Sequence, residues 1–170
     1  MMQDIRAMPL SKSAFAPFGR VIEKAGADSF LINNGKCRRY HALAQAEIQG
    51  EGGAVGISIF SGQPYLLPHT LDLVERHPLG SQAFYPLGDN DWLVIVCADN
   101  DGTPDIPQAF LANGDQGVSL NRDIWHGVLT PLVEASDFLV VDRISIGEGS
   151  GDNLVEHHFS APYTITVNTG

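Results

Sequence analysis

After residue 50 this chain becomes a succession of short apolar runs rich in β-branched residues, broken at nearly regular intervals by Gly, Pro, Asn and Asp. Such spacing predicts short strands joined by tight turns, and therefore an all-β sandwich or barrel. The runs are Ala54–Phe60, Tyr65–Glu75, Ser81–Tyr85, Trp92–Ala98, Ala109–Ala112, Gly117–Leu120, Phe138–Ile144 and Leu154–Phe159. Pro86–Asp91 and Asp99–Pro104 read as turns between them. Asp99-Asn100-Asp101-Gly102 has the look of a calcium loop, but its glycine is out of register and no Glu stands at the twelfth place, so a hairpin turn is expected. Helical periodicity is essentially absent in this region. Earlier in the chain, Ser11 is placed to cap a short helix over Lys12–Phe15, ended by Pro17 and Gly19. Phe18–Glu23 and Arg38–Ala42 read as further strands, with a turn at Asn33–Gly35.

The length, 170 residues, suits one domain, and 44% hydrophobic with 18% charged residues suits a packed core rather than disorder. A domain of this size buries about two-thirds of its unfolded surface, so neither a disulfide nor a metal is needed merely to fold it. Ten Lys and Arg against twenty Asp and Glu give a formal charge of −10. Nucleic acid and anionic membrane surfaces, which are bound through clustered cations, are thereby disfavoured as partners. A small anionic substrate would need a few Arg or Lys to converge locally. No apolar run approaches the roughly 20 residues of a membrane span. The opening stretch has no continuous apolar segment followed by a small-residue cleavage site, so no signal peptide is expected. Cys37 and Cys97 match no metal or redox spacing and are expected as two buried thiols in a reducing cytoplasm.

Four residues stand out chemically. If Val74–Pro78 is extended, the period of two puts Glu75 and His77 on one face and sends Arg76 to the other, toward an acidic partner. Gln82 follows the Pro78–Gly80 turn and can point into the same space, and His126 follows a later turn at Asn121–Asp123. Imidazole nitrogens with carboxylate and amide oxygens suit a borderline divalent metal such as Ni, Mn, Fe or Zn.

The order of residues adds to this. Glu75-Arg76-His77, Pro78–Ser81, Gln82 and Gly88 follow a degenerate first cupin motif, and Asn121-Arg122-Asp123-Ile124-Trp125-His126 a degenerate second one. Asp123 stands where the second motif has a turn glycine, and Asp visits the left-handed region more readily than most residues. The longer string Glu75-Arg76-His77-Pro78-Leu79-Gly80-Ser81-Gln82-Ala83-Phe84, then Gly117 with Trp125-His126, then Phe138-Leu139-Val140-Val141-Asp142-Arg143, resembles the signature of the ureidoglycolate lyase family. The resemblance runs from Pro17-Phe18-Gly19 to Asp142-Arg143. It implies a cupin-like double-stranded β-helix, a jelly-roll barrel, to which the short N-terminal helix is added. It also implies a cytoplasmic homodimer and a divalent metal, with Ni2+ among the candidates. The implied activity is that of a carbon–nitrogen lyase of the amidine-lyase type. It splits (S)-ureidoglycolate into glyoxylate and urea during allantoin and purine degradation. Residues 1–170 then make a single domain, with 146–170 as a variable C-terminal extension because that stretch fits the signature poorly.

Ureidoglycolate carries a carboxylate, a hydroxyl and a ureido nitrogen around one carbon. Its lysis needs a base, an acid and a clamp for oxygens, and an imidazole titrating near neutrality suits proton transfer. Glu75, His77 and His126 are the catalytic candidates, and Glu75, His77, Gln82 and His126 the metal ligands. Arg122, Gln82 and Ser58 are the candidates for substrate contact, with a turn-stabilising role equally open for Arg122. The competing readings are an amidohydrolase that releases ammonia from the same substrate, and a non-catalytic cupin that binds a small ligand. His41 is read as structural or at the rim, His69 as a surface hydrogen-bonding residue, and the adjacent His157 and His158 as solvated.

Overall fold

The computed structural model describes residues 3–147 and 152–168. Strands β1 (Gln3–Arg6) and β2 (Met8–Pro9) precede helix α1 (Lys12–Phe15) and β3 (Gly19–Ile22). A hairpin follows, β4 (Ser29–Ile32) with β5 (Cys37–Tyr40). Next come β6 (Gly53–Gly62), β7 (His69–Arg76), β8 (Gln82–Pro86) and β9 (Trp92–Cys97). A small hairpin, β10 (Asp99–Asn100) and β11 (Thr103–Pro104), leads to β12 (Gln108–Ala112) and β13 (Gly117–Leu120). The remaining strands are β14 (Trp125–His126), β15 (Thr130–Pro131), β16 (Ser136–Ser145) and β17 (Val155–Thr166).

Apart from the separate β4–β5 and β10–β11 hairpins, these strands make two facing sheets. The larger has the order β1-β17-β7-β14-β9-β12-β2, with β15 also on β9, and the smaller β3-β13-β8-β16-β6. Among the described residues the protein is an all-β, cupin-like barrel with one short helix. Paired residues share a face, so the register carries the core from strand to strand. Val21, Val118, Phe84 and Val140 line up across the smaller sheet. They meet Trp92, Val94 and Val96 of β9 and Phe110 of β12 in one buried cluster. Every residue of β9 is buried, and its alternate positions Leu93, Ile95 and Cys97 belong to a second cluster with Trp125 and Ile165. A strand covered on both faces reads as a continuous apolar run, and Trp92–Cys97 does. Helix α1 forms as the capping signal predicts. The Ser11 hydroxyl accepts the Ala14 N–H at 3.3 Å, and Phe15 is fully buried edge-on to Phe110.

Residues 155–166 form a strand inside the larger sheet. Strand β17 lies between β1 and β7 in the larger sheet, with Ile165 opposite His69 and fully buried. Its register shifts between His158 and Tyr163, so its alternation is broken midway and does not read as one long strand. Cys97 is buried as expected, but Cys37, at the start of the β5 hairpin strand, is exposed, and two histidines differ from expectation as well. His69 is buried and packs edge-on against Tyr65 at 5.0 Å, and His157 packs between Trp125 and Phe159. If β17 is part of the core, Ile165→Ala should lower unfolding free energy in urea by about 2–5 kcal/mol. A change within about 0.5 kcal/mol, typical of exposed sites, would place β17 outside the cooperative core.

Candidate functional site

The sheet register brings the candidates together. Glu75 of β7 pairs with His126 of β14 on one side and with Glu156 of β17 on the other. His126 in turn pairs with Val96, a residue of the core between the sheets, so this row faces the barrel interior. Arg76 alternates to the opposite face. There its guanidinium lies 4.3 Å over the Trp125 ring and bridges Asp99 at 3.0 Å and Asp123 at 3.4 Å. Gln82 opens β8 on the facing sheet.

The Glu75 carboxylate and ring nitrogens of His77 and His126 all lie within 4.8 Å of one another. Glu75 Oε1 is 3.8 Å from His77 Nε2, and the two imidazole centroids are 5.2 Å apart. Glu75, Gln82 and His126 line an open cleft of about 420 Å³ walled by Phe60, Phe84, Val128 and Leu129. Another hollow of about 470 Å³, lined by Lys12, Arg20 and Asn121, contains none of the four.

A second bond orients each ring. His77 Nδ1 sits 2.7 Å from the Asn153 carbonyl, and His126 Nδ1 sits 2.9 Å from the Gly127 carbonyl. A carbonyl only accepts, so each Nδ1 carries the hydrogen and the Nε2 lone pair is left free in the neutral ring. Both Nε2 atoms are buried without a hydrogen-bond partner among the described residues. Gln82 repeats the pattern. Its Nε2 donates to Asp142 at 3.1 Å, and its Oε1 is buried and unpartnered. Burial pushes the His126 pKa down to about 4, which keeps that ring neutral near pH 7. Burial pushes the Glu75 carboxyl up, His77 opposes the shift, and Glu156 adds to it. An unsatisfied buried acceptor costs roughly 1–3 kcal/mol, and here three of them accompany a carboxylate. Two imidazole nitrogens, a carboxylate and an amide oxygen fit a borderline divalent cation, so Glu75, His77, Gln82 and His126 could hold one.

The surrounding loops fix this cage. Asp123 adopts φ +66°, the left-handed turn expected for it, and its N–H donates to the His77 carbonyl at 2.9 Å. A strap over residues 47–51 binds the chain just before Gln82. The Gln49 N–H donates to Leu79 O, the Ser81 N–H donates to Glu47 O, and buried Arg143 donates to the carbonyls of Gln49 and Glu51. Gly80 is required there, since a Cβ would lie 2.6 Å from Arg143 Cβ.

The remaining two candidates are placed differently. Neither Arg122 nor Ser58 is among the residues lining the cleft. Arg122 is exposed and donates to Glu47 at 3.2 Å and to the Pro78 carbonyl at 3.0 Å, which ties its turn to the strap. Ser58 pairs with Val140 and so shares the interior face of β6, but the cleft is reached farther along, at Phe60–Gly62. Sequence reasoning missed Asn153, Gly127 and Asp142. Two of these act through main-chain carbonyls, which carry no residue signature, while Asp142 could have been found from its alternation with Val140.

The His126 shift has a testable sign. Its folded pKa is about 4 against an ordinary 6.5. Between these values the unfolded chain binds a proton that the folded chain refuses. Stability from this group is therefore complete above pH 6.5 and is lost as pH falls toward 4. In chelator-treated protein, His126→Asn should reduce the loss of unfolding free energy across this window by about 3 kcal/mol. Equal pH dependence in variant and wild type would contradict a buried neutral ring.

Residues 2–166 match the family model described as ureidoglycolate lyase. The ureidoglycolate lyase of Chelativorans sp. strain BNC1 is 56% identical over 164 residues, covering 96% of this chain and 97% of that protein. That of Rhizobium etli strain CIAT 652 is 52% identical over 162 residues, covering 95% and 94%. The one from Agrobacterium fabrum is 48% identical over 165 residues, covering 97% of each. Among solved structures, Bacillus subtilis oxalate decarboxylase matches at 16% identity and a TM-score of 0.37, over 68% of this chain and 31% of that one. The chain belongs to the ureidoglycolate lyase family.

Proposed function

We propose that this protein cleaves (S)-ureidoglycolate to glyoxylate and urea in purine breakdown, with a divalent ion, nickel foremost, held by Glu75, His77, Gln82 and His126. The observation that carries this reading is the pair of buried Nε2 atoms left without hydrogen-bond partners among the described residues, beside the Glu75 carboxylate. When bound, the ion supplies Lewis-acid charge that lowers the pKa of a hydroxyl brought against it.

The reaction needs neither water nor an oxidant. The hydroxyl proton leaves, the oxygen lone pair forms the new carbonyl, and the carbon–nitrogen bond breaks with its electrons going to nitrogen. One proton then travels from that oxygen to the urea nitrogen, and a single group can carry it. Glu75 is that group: its carboxylate lies in the cleft beside both imidazoles, and burial raises its pKa. His126, neutral near pH 7, holds rather than shuttles. Phe60, Phe84 and Leu129 give the cleft an apolar wall beside Glu75, Gln82 and His126. Substrate contact by Arg122 and Ser58 belongs to the same reading and requires Arg122 to leave Glu47.

The chain acts as one domain and as a cytoplasmic homodimer. Among the described residues no helix is long and apolar enough to cross a membrane. The edge strand β6 exposes Val55, Ile57 and Ile59, a surface that a second copy would cover. Light scattering should give twice the 18.3 kDa chain mass, and a monomer at micromolar concentration would remove the dimer.

Product analysis with purified protein and ureidoglycolate decides the activity. Urea and glyoxylate in equal amounts are expected, whereas ammonia, or no turnover, would overturn the lyase reading. His126→Ala should lower kcat by roughly 10²-fold or more. In Glu75→Gln, loss of activity with the ion retained marks a proton carrier, and loss of both marks a ligand. If both variants release urea at the wild-type rate, the site is misassigned.

A further inference from the structure

We infer that Asn153 is the positioning residue for His77: it sets the ring tautomer and holds Nε2 toward Glu75 and His126. The inference deepens the metal reading above, on which only its affinity measurement rests.

Strand β7 ends at Arg76, and the last rung of its ladder with β17 pairs Arg76 with Val155. His77 is one residue beyond that rung, so the ladder does not fix its ring. Asn153 carries the contact past the end of the strand with two bonds of 2.7 Å. Its main-chain carbonyl accepts from His77 Nδ1, and its side-chain Oδ1 accepts the Leu79 N–H. Anchored by its own side chain to the loop that follows His77, residue 153 cannot move its carbonyl independently of the ring it orients. The result is a defined hydrogen on Nδ1 and a free, buried Nε2. A neutral imidazole without such an acceptor can carry its hydrogen on either nitrogen. Partners that bind the second nitrogen of a metal-ligating histidine characteristically fix its tautomer and basicity.

The side chain needs only an acceptor oxygen at this position, so Asn153→Asp should preserve the clip and Asn153→Ala should break it. In metal-free, 15N-histidine-labelled protein under mildly alkaline conditions, wild type should show His77 as a single Nδ1–H tautomer. Asn153→Ala should show a mixture, and its affinity for nickel(II) by calorimetry should fall by about 10-fold or more. Asn153→Asp should retain both the tautomer and the affinity. A purely structural loss would change the melting temperature without mixing the tautomers. Should Asn153→Ala not fold, Asn153→Ser, too short to reach the Leu79 N–H, takes its place. The inference is overturned if the truncated variant keeps one Nδ1–H tautomer, or if Asn153→Asp behaves like it. Wild type that binds no nickel(II) would count against the metal reading alone, and the tautomer signal would still decide the role of Asn153.

Discussion

A buried nitrogen lone pair without a partner works against folding by roughly 1–3 kcal/mol, and among the described residues this barrel keeps two of them, on His77 and His126, beside the half-buried Glu75 carboxylate. Much of the structure near the cleft can be understood as support for that cost. The apolar contact between the sheets, centred on Phe84, Phe110, Phe138 and the alternate residues of β9, supplies the opposing stabilisation. The rings themselves are held by carbonyls rather than by charged partners. That choice fixes the hydrogen on Nδ1 without adding negative charge where Glu75 and Glu156 already crowd each other.

Strand alternation divides the labour. Glu75 and His126 face the interior, while their neighbours Arg76 and Trp125 meet on the outer face, the guanidinium stacked over the indole. The Trp125 indole N–H also donates to Asp99, which accepts from Arg76 as well. The two-residue strand β14 is thus pinned on its outer side, and its inner side presents His126. On the facing sheet, Arg143 and the strap over residues 47–51 do the same for the start of β8, from which Gln82 projects.

Much of this was legible in the sequence. Turn-punctuated apolar runs predicted the sheets because strand length and turn chemistry are local properties. The period of two separated Glu75 and His77 from Arg76 for the same reason, and Asp123 took the left-handed turn its side chain permits. What could not be read was non-local. The pairing of β17 with β7 depends on register across about 80 residues of sequence, and a register shift hides its alternation. The acceptors that orient His77 and His126 are main-chain atoms, invisible to residue type. A lone Arg beside a motif, such as Arg122, reads equally as a substrate cation or a turn anchor, and its bonds to Glu47 and Pro78 depend on a strap whose course no local signal gives.

We propose that Glu75, His77, Gln82 and His126 form one cage for a divalent ion. Anomalous diffraction from crystals of the wild-type protein soaked with nickel(II) tests it most directly. The account predicts one strong peak within about 2.3 Å of both His77 Nε2 and His126 Nε2, with the Glu75 carboxylate in the same coordination sphere. A peak at other side chains, or none at an occupancy that the soak should saturate, would contradict it.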